Sequence, residues 1–530
     1  MPQRHLDRLS STDASFLHQE GSSSHMHVGA VLVFDGPPPD FAAYLDHVRS
    51  RLHLVPRYRQ KLAKPPLESG RPLWIDDPNF NLEFHVRHSA LPAPGTEEQL
   101  LRFAARINSQ QLDRAKPLWE CWMVEGLAPA AGEPERFALI FKTHHALVDG
   151  VSGVDLATVL FDAEPSPPPE RTAAGDELEP WKPRPEPSPI ELILAGLRGA
   201  VGVTSEIAGR AAGAITRPAS SFELVRDALE GIGEIVWAGL NPAPETPLNV
   251  EIGPHRRFTV VRAELSDLKE IKDALGGTVN DVVLTVVAGA LAKWLRSRGI
   301  RTEGLELRAL VPVSVRTDDQ RGTLGNQLTA MRGPLPVYIN DPVARLQYVR
   351  RAMDGLKESK QAVGAATLAA VNNLAPPTVL AQASRLNFST RLFNLLVTNI
   401  PGPQLPLYVL GRRLQDLFPV AFLPENHALA VAIISYNGSL DFGLLGDYDG
   451  LPDIEVIAAG IEQAIEELLA AAARGRGRSG TGSGARQAAT RAADPAPRPV
   501  LPSGRSRSGR GPAADMRAKR GRARRRPGQA

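Results

Sequence analysis

Pro165, Pro167, Pro168, Pro169, Pro180, Pro183, Pro185, Pro187 and Pro189 crowd one short stretch of the chain. Proline locks φ and has no backbone N–H, so neither a regular helix nor an interior strand can run through such a stretch. It reads as an exposed linker, and structure must be built separately on either side of it. The length agrees: 530 residues exceed what one hydrophobic core usually serves.

Residues 1–164 form the first piece. His27 to Phe34 is an apolar run closed by Asp35-Gly36-Pro37, the pattern of a strand entering a turn. Phe41 to Leu54 spaces its apolar residues as a helix, Phe137 to Lys142 is a buried strand, and Val154 to Phe161 is helical. Residues 165–246 hold the linker and two amphipathic stretches, Ile190 to Ile215 and Phe222 to Leu240, parted by Arg217-Pro218. These predict a helical pair packed on the flanking domains. Residues 247–473 form the second piece, with strands at Phe258 to Leu265 and Leu307 to Val315 and helices at Leu268 to Leu275 and Asp281 to Leu295. Alternating strands and helices in both pieces make the chain α/β.

Residues 474–530 are rich in Arg, Gly, Ala, Ser and Pro, with too little apolar surface to offset chain entropy, and are expected to be disordered. They also explain the charge. The net charge is +3, yet this tail holds 16 basic and 2 acidic residues and the rest of the chain 45 and 56. An acidic body carries a basic tail. Lacking aromatic stacking platforms, that tail predicts no sequence-specific nucleic-acid binding, and attraction to anionic lipid suits it better. The N-terminus lacks the pattern of a signal peptide. No apolar run approaches the roughly 20 residues of a spanning helix. A soluble or membrane-surface protein is expected. The single cysteine, Cys121, rules out an internal disulfide and any multi-cysteine metal site, and reads as a small buried hydrophobe.

The segment that carries chemistry is Thr143-His144-His145-Ala146-Leu147-Val148-Asp149-Gly150. It follows a buried strand and precedes a helix. Imidazole ordinarily titrates near neutrality and is the natural general base for an alcohol or amine. A nearby aspartate can hold the geometry, and Gly150 permits close backbone approach. Adjacent histidines at a strand end point to opposite sides, and no further His/Cys cluster supplies ligands, so no metal is expected. Neither a Gly-x-Ser-x-Gly elbow nor a P-loop occurs.

His144-His145-x-x-x-Asp149-Gly150 resembles the HHxxxDG motif of CoA-dependent acyltransferases. Further segments resemble, in order, the bacterial wax ester synthase/diacylglycerol acyltransferase family. They are Leu9 to Leu17 with Met26-His27-Val28-Gly29, Pro117-Leu118-Trp119-Glu120, Pro247-Leu248-Asn249 with Gly253 and Arg256-Arg257, Val279-Asn280-Asp281-Val282, and Asn399-Ile400-Pro401-Gly402-Pro403. Leu440-Asp441-Phe442-Gly443-Leu444 partly matches a DFGWG segment of the superfamily, with Leu444 where Trp would stand.

The resemblance implies two chloramphenicol-acetyltransferase-like domains joined by a helical crossover, with the active site at a channel between them. It implies that His145 is the general base, that His144, Asp149 and Gly150 support it, and that Asn280 and Asp281 face the channel. No bound cofactor is implied; acyl-CoA would be a co-substrate, and diacylglycerol or a long-chain alcohol the acceptor. It also implies a cytoplasmic protein, peripheral at the inner membrane or a lipid-droplet surface. Two rival readings remain: a condensation-like enzyme taking a carrier-bound acyl group, for which the chain shows no carrier segment, and a non-catalytic lipid-binding homologue.

Overall fold

A computed structural model describes residues 7–66, 70–129, 135–147, 160–166, 181–188, 190–192, 241–314, 328–358 and 388–489. Two six-stranded sheets organise them. Edge to edge, the first contains Tyr408–Val409, Arg412–Val420, His27–Asp35, Arg136–His144, Trp119–Leu127 and Val86–Ala90. The second contains Leu328–Pro336, Glu306–Ser314, Leu395–Pro401, Leu429–Tyr436, Ser439–Asp447 and Arg256–Glu264. Parallel and antiparallel pairs mix in both, with helices between strands along the chain, as an α/β sequence requires.

The sheets do not respect the order of the chain. Arg412–Val420 comes from the C-terminal half, yet it pairs antiparallel with His27–Asp35, placing Phe418 opposite Val31 and Val420 opposite Gly29. This strand donation covers an edge that the N-terminal strands would otherwise leave open.

Burial explains why the central strands read as unbroken apolar runs. All of Leu429–Tyr436 is buried, so alternation with polar residues has no role there. Val279–Ser297 begins at a capping box in which Thr278 and Asp281 exchange side-chain-to-backbone hydrogen bonds. From Asp281 to Leu295 this helix is buried except at Lys293. Each large side chain so buried contributes roughly 1.5–3 kcal/mol. Glu97–Asn108 carries a second capping box, Thr96 with Gln99, and buries Leu100, Leu101, Ala104, Ala105 and Ile107.

One apolar cluster lies under each sheet, and a third brings both halves together. That third cluster contains Val31, Ile140 and Phe258 with Phe418, Val420, Phe422 and Ala432. Gly443 belongs to this junction. A Cβ there would stand 1.8 Å from the carbonyl oxygen of Pro419, so only glycine lets the two strands approach. The partial DFGWG match is thereby explained as a packing requirement at its glycine.

One expectation needs correction. The proline stretch is not wholly an exposed linker: Trp181–Ser188 is docked. The Arg184 backbone N–H and Nε–H both donate to Asp76 Oδ2 at 3.1 Å. Glu186 pairs with Lys61 at 2.5 Å, and the Arg59 guanidinium lies 4.6 Å over the Trp181 ring. Proline removes backbone donors but leaves such side chains free to anchor an extended segment. The helix Ile454–Ala489 spans the composition break at residue 474. The expected helical crossover falls at 193–240, outside the described residues, as does most of the helix expected at Val154 to Phe161.

Cys121 is buried, as its composition suggested. Among the described residues, no single helix is long and apolar enough to cross a membrane.

Candidate active site

Arg136–His144 is an interior strand, and its last residue delivers the chain into the short 3-10 turn His145–Leu147. The His144 N–H donates to Leu118 O at 2.9 Å and the His145 N–H to Met26 O at 2.8 Å. The turn is thus tied to both neighbouring segments. The two imidazoles meet different neighbours. His144 is 1% exposed, whereas His145 is half-buried.

His145 packs between two aromatic rings. Phe16 stacks on it with centroids 4.0 Å apart and planes at 25°, and Phe422 meets it edge-on at 5.8 Å and 85°. Phe16 lies on the helix Ser11–Gln19, whose N-cap Ser10 accepts the Asp13 N–H at 3.1 Å. That cap explains the Leu9-Ser10-Ser11-Thr12-Asp13 segment: it starts the helix that carries Phe16. Phe422 follows the donated strand Arg412–Val420. Phe16 covers one face of the imidazole, and Phe422 walls it edge-on.

His144 faces a different environment. Its Nδ1 accepts the Ala146 N–H at 3.0 Å, and its Nε2 lies 3.6 Å from Glu20 Oε2. Arg114 Nε donates to the same Glu20 oxygen at 2.8 Å. Burial alone would raise the Glu20 carboxyl; the contacts of His144 and Arg114, with the Arg114 charge, outweigh it and lower the group to about 2. Opposite His144 in the strand register stands His27, with rings 6.0 Å apart. Burial, then the neighbouring charge of Lys142, push His27 well below its ordinary value, so it is neutral. Lys142, two residues before His144, pairs with Glu120 at 2.6 Å and donates to Ile107 O and Gln110 O. Burial lowers it, against the pull of Glu120.

A clamp from the C-terminal half closes over the Gly21–Met26 loop. Ser24 Oγ donates to Leu423 O at 2.8 Å, and the Arg256 guanidinium donates to Ser23 O and, at 2.7 Å, to Gly253 O. Arg256 also stands 3.8 Å from Asp447. The Gly253 and Arg256 segment therefore holds the two halves together beside the histidines.

Of the residues expected from the sequence, the structure brings His144 and His145 to one turn. Asp149 and Gly150 lie outside the described residues. Asn280 is half-buried, and Asp281 is buried with its Oδ2 taking both the N–H and the hydroxyl of Thr278 at 2.8 Å. Its visible hydrogen bonds are those of a helix cap. Sequence reading passed over Phe16, Glu20, Arg114 and Phe422. The four-residue spacing of Phe16 and Glu20 on one helix offered a signal for two of them; nothing local marks Phe422.

Among the described residues no group of His, Cys, Asp or Glu could hold a metal ion. The site's resources are an imidazole, apolar walls and a buried charged support.

Comparison with known proteins gives the same picture. Residues 9–283 match the wax ester synthase/diacylglycerol acyltransferase catalytic domain, and residues 324–469 the C-terminal domain of that family. A probable diacylglycerol O-acyltransferase of Mycobacterium tuberculosis is 33% identical over 473 residues, 88% of this chain and 97% of that protein. The solved wax ester synthase/diacylglycerol acyltransferase of Marinobacter aquaeolei aligns with a TM-score of 0.58 at 27% identity, covering 88% of this chain and all of that one. The first condensation domain of the calcium-dependent antibiotic synthetase aligns at 0.53 and 18% identity, over 88% and 96% of the two chains, a likeness of fold. With both family domains present in order and the histidine turn inside the first, the chain belongs to the wax ester synthase/diacylglycerol acyltransferase family of acyltransferases.

Proposed function

We propose that this protein transfers the acyl group of an acyl-CoA to the free hydroxyl of diacylglycerol, with long-chain alcohols as second acceptors, and that His145 is the general base. The observation that carries this is the half-buried His145 held between Phe16 and Phe422 at the end of an interior strand. Family membership and the names of the relatives support the substrate class.

A ring nitrogen of His145 takes the acceptor's hydroxyl proton as the oxygen attacks the thioester carbonyl. The tetrahedral intermediate then expels the CoA thiolate, which receives that proton, so the base is regenerated and no covalent acyl-enzyme is needed. The thioester is already activated. What remains for the chain to supply is proximity and a base, the latter worth on the order of 10²–10⁴-fold. Asp149 and Gly150 support the turn in this reading, and Asn280 and Asp281 border the substrate channel between an N-terminal domain at 1–164 and a C-terminal one at 247–473. Both substrates are amphiphiles, and the basic tail at 474–530 suits an anionic surface. The protein then works in the cytoplasm, peripheral at the inner membrane or at a lipid droplet.

The test is turnover of labelled acyl-CoA by the purified full-length chain against diacylglycerol, long-chain alcohols and glycerol. Ester formed with diacylglycerol, and its loss by at least a hundredfold in His145→Ala with an unchanged melting temperature, is the expected result. Near-normal turnover in that variant removes His145 from the chemistry, and transfer only from a carrier-bound acyl group removes acyl-CoA as donor.

A further inference from the structure

We propose that Glu20 is a positioning residue: its buried carboxylate selects the tautomer of His144, and through His144 it sets the turn that presents His145. The inference rests on His145 being the base and goes beyond it, because Glu20 reaches no reacting atom.

A neutral imidazole has one donor nitrogen and one acceptor, and the hydrogen bond made by one decides the other. His144 Nδ1 accepts the Ala146 N–H at 3.0 Å, so the ring proton is on Nε2. That nitrogen faces Glu20 Oε2 at 3.6 Å. The carboxylate rewards this tautomer, since an Nδ1–H ring would turn a lone pair toward a negative charge and lose the Ala146 bond as well. Glu20 can do so only while ionised, and its surroundings keep it so: its side chain is 1% exposed, and the Arg114 guanidinium pairs with it, Nε donating to Oε2 at 2.8 Å.

The consequence reaches His145 through the backbone. The peptide N–H that His144 captures is that of Ala146, immediately after His145, while the N–H of His145 is bound by Met26 O at 2.8 Å. The backbone of His145 is thus pinned on both sides, one of them by a side chain that Glu20 orients. The same short helix serves both rings: Phe16 stacks on His145, and the N–H of Glu20, the helix C-cap, donates to Phe16 O at 3.2 Å. One turn of chain therefore couples the support of His144 to the wall of His145. The proton on His144 is not transferred; it is held.

The experiment uses the full-length protein with ¹⁵N-labelled histidine, the His144 signals being assigned by their loss in His144→Gln. In the wild type, ring ¹⁵N shifts should report an Nε2–H tautomer for His144. In Glu20→Gln, which keeps size and one acceptor but loses the charge, His144 should move to a tautomer mixture. There kcat should fall 10- to 100-fold, with KM for acyl-CoA within threefold, and Glu20→Asp should recover part of kcat. An Nδ1–H or doubly protonated His144 in the wild type overturns the proposal whether or not any variant folds. So does a Glu20→Gln enzyme with kcat within twofold of wild type, or one whose His144 tautomer is unchanged. The tautomer is read without turnover, so an active His145→Ala would refute the general-base reading and leave this measurement to be judged by itself.

Discussion

Phe422 meets His145 edge-on with centroids 5.8 Å apart, although the two come from opposite halves of the chain. The contact exists because Arg412–Val420 leaves the C-terminal half to pair with His27–Asp35, which carries the following residues to the histidine turn. The site is therefore completed by a strand exchange between sheets.

Phe422 should matter more for rate than for folding when its volume is nearly kept. Phe422→Leu retains an apolar side chain but loses the edge-on ring contact, which is worth about 0.5–1.5 kcal/mol. Steady-state kinetics should show kcat down by about 3- to 10-fold with the melting temperature within a few degrees. Unchanged kcat would mean the ring does not restrain His145.

Asp441 should make stability fall with rising pH. Burial raises its carboxyl to about 7, helped by the charge of Asp416 and opposed by the Ser439 hydroxyl and Arg262. The folded state thus binds the proton more tightly than the unfolded chain does. Stability from this group is full below about pH 4, declines above it, and is gone once pH passes about 7. Asp441→Asn should remove that dependence. Urea unfolding at pH 5 and pH 8 should show the variant gaining on wild type at pH 8; equal differences at both would refute the assignment.

Gly443→Ala should be severely destabilising. The added carbon would lie 1.8 Å from the Pro419 carbonyl oxygen, a backbone atom that cannot move without shifting the donated strand. A loss of about 3 kcal/mol or more is expected, at the upper end of overpacking costs. Thermal melting measures it, and a variant as stable as wild type would show that the strands can part.

Cys121 should be inert in the native protein. Burial pushes its thiol up to about 12, the Tyr44 hydroxyl at 3.3 Å only partly opposing this. Ellman's reagent at pH 8 should label no thiol until denaturant is added. Fast native labelling would contradict the packing.

Much of this architecture can be read without coordinates, and the reason is locality. Apolar runs mark the strands at 27–35 and 136–144, and the apolar stretch from Asp281 to Leu295 marks a helix, because most of their residues are buried. The histidine turn is legible for the same reason: its residues are neighbours in the chain. Docking of Trp181–Ser188 was not legible, because proline content reports only lost backbone donors and says nothing of a side chain such as Arg184 reaching Asp76.

Sequence alone thus determines that His144 and His145 stand at the end of a buried strand. Which ring is sealed and which is left half-buried depends on Glu20, Arg114 and Phe422. Those partners are brought in by helix docking and by a strand crossing between sheets. Such contacts arise from the packing of distant surfaces, which no local period or spacing encodes.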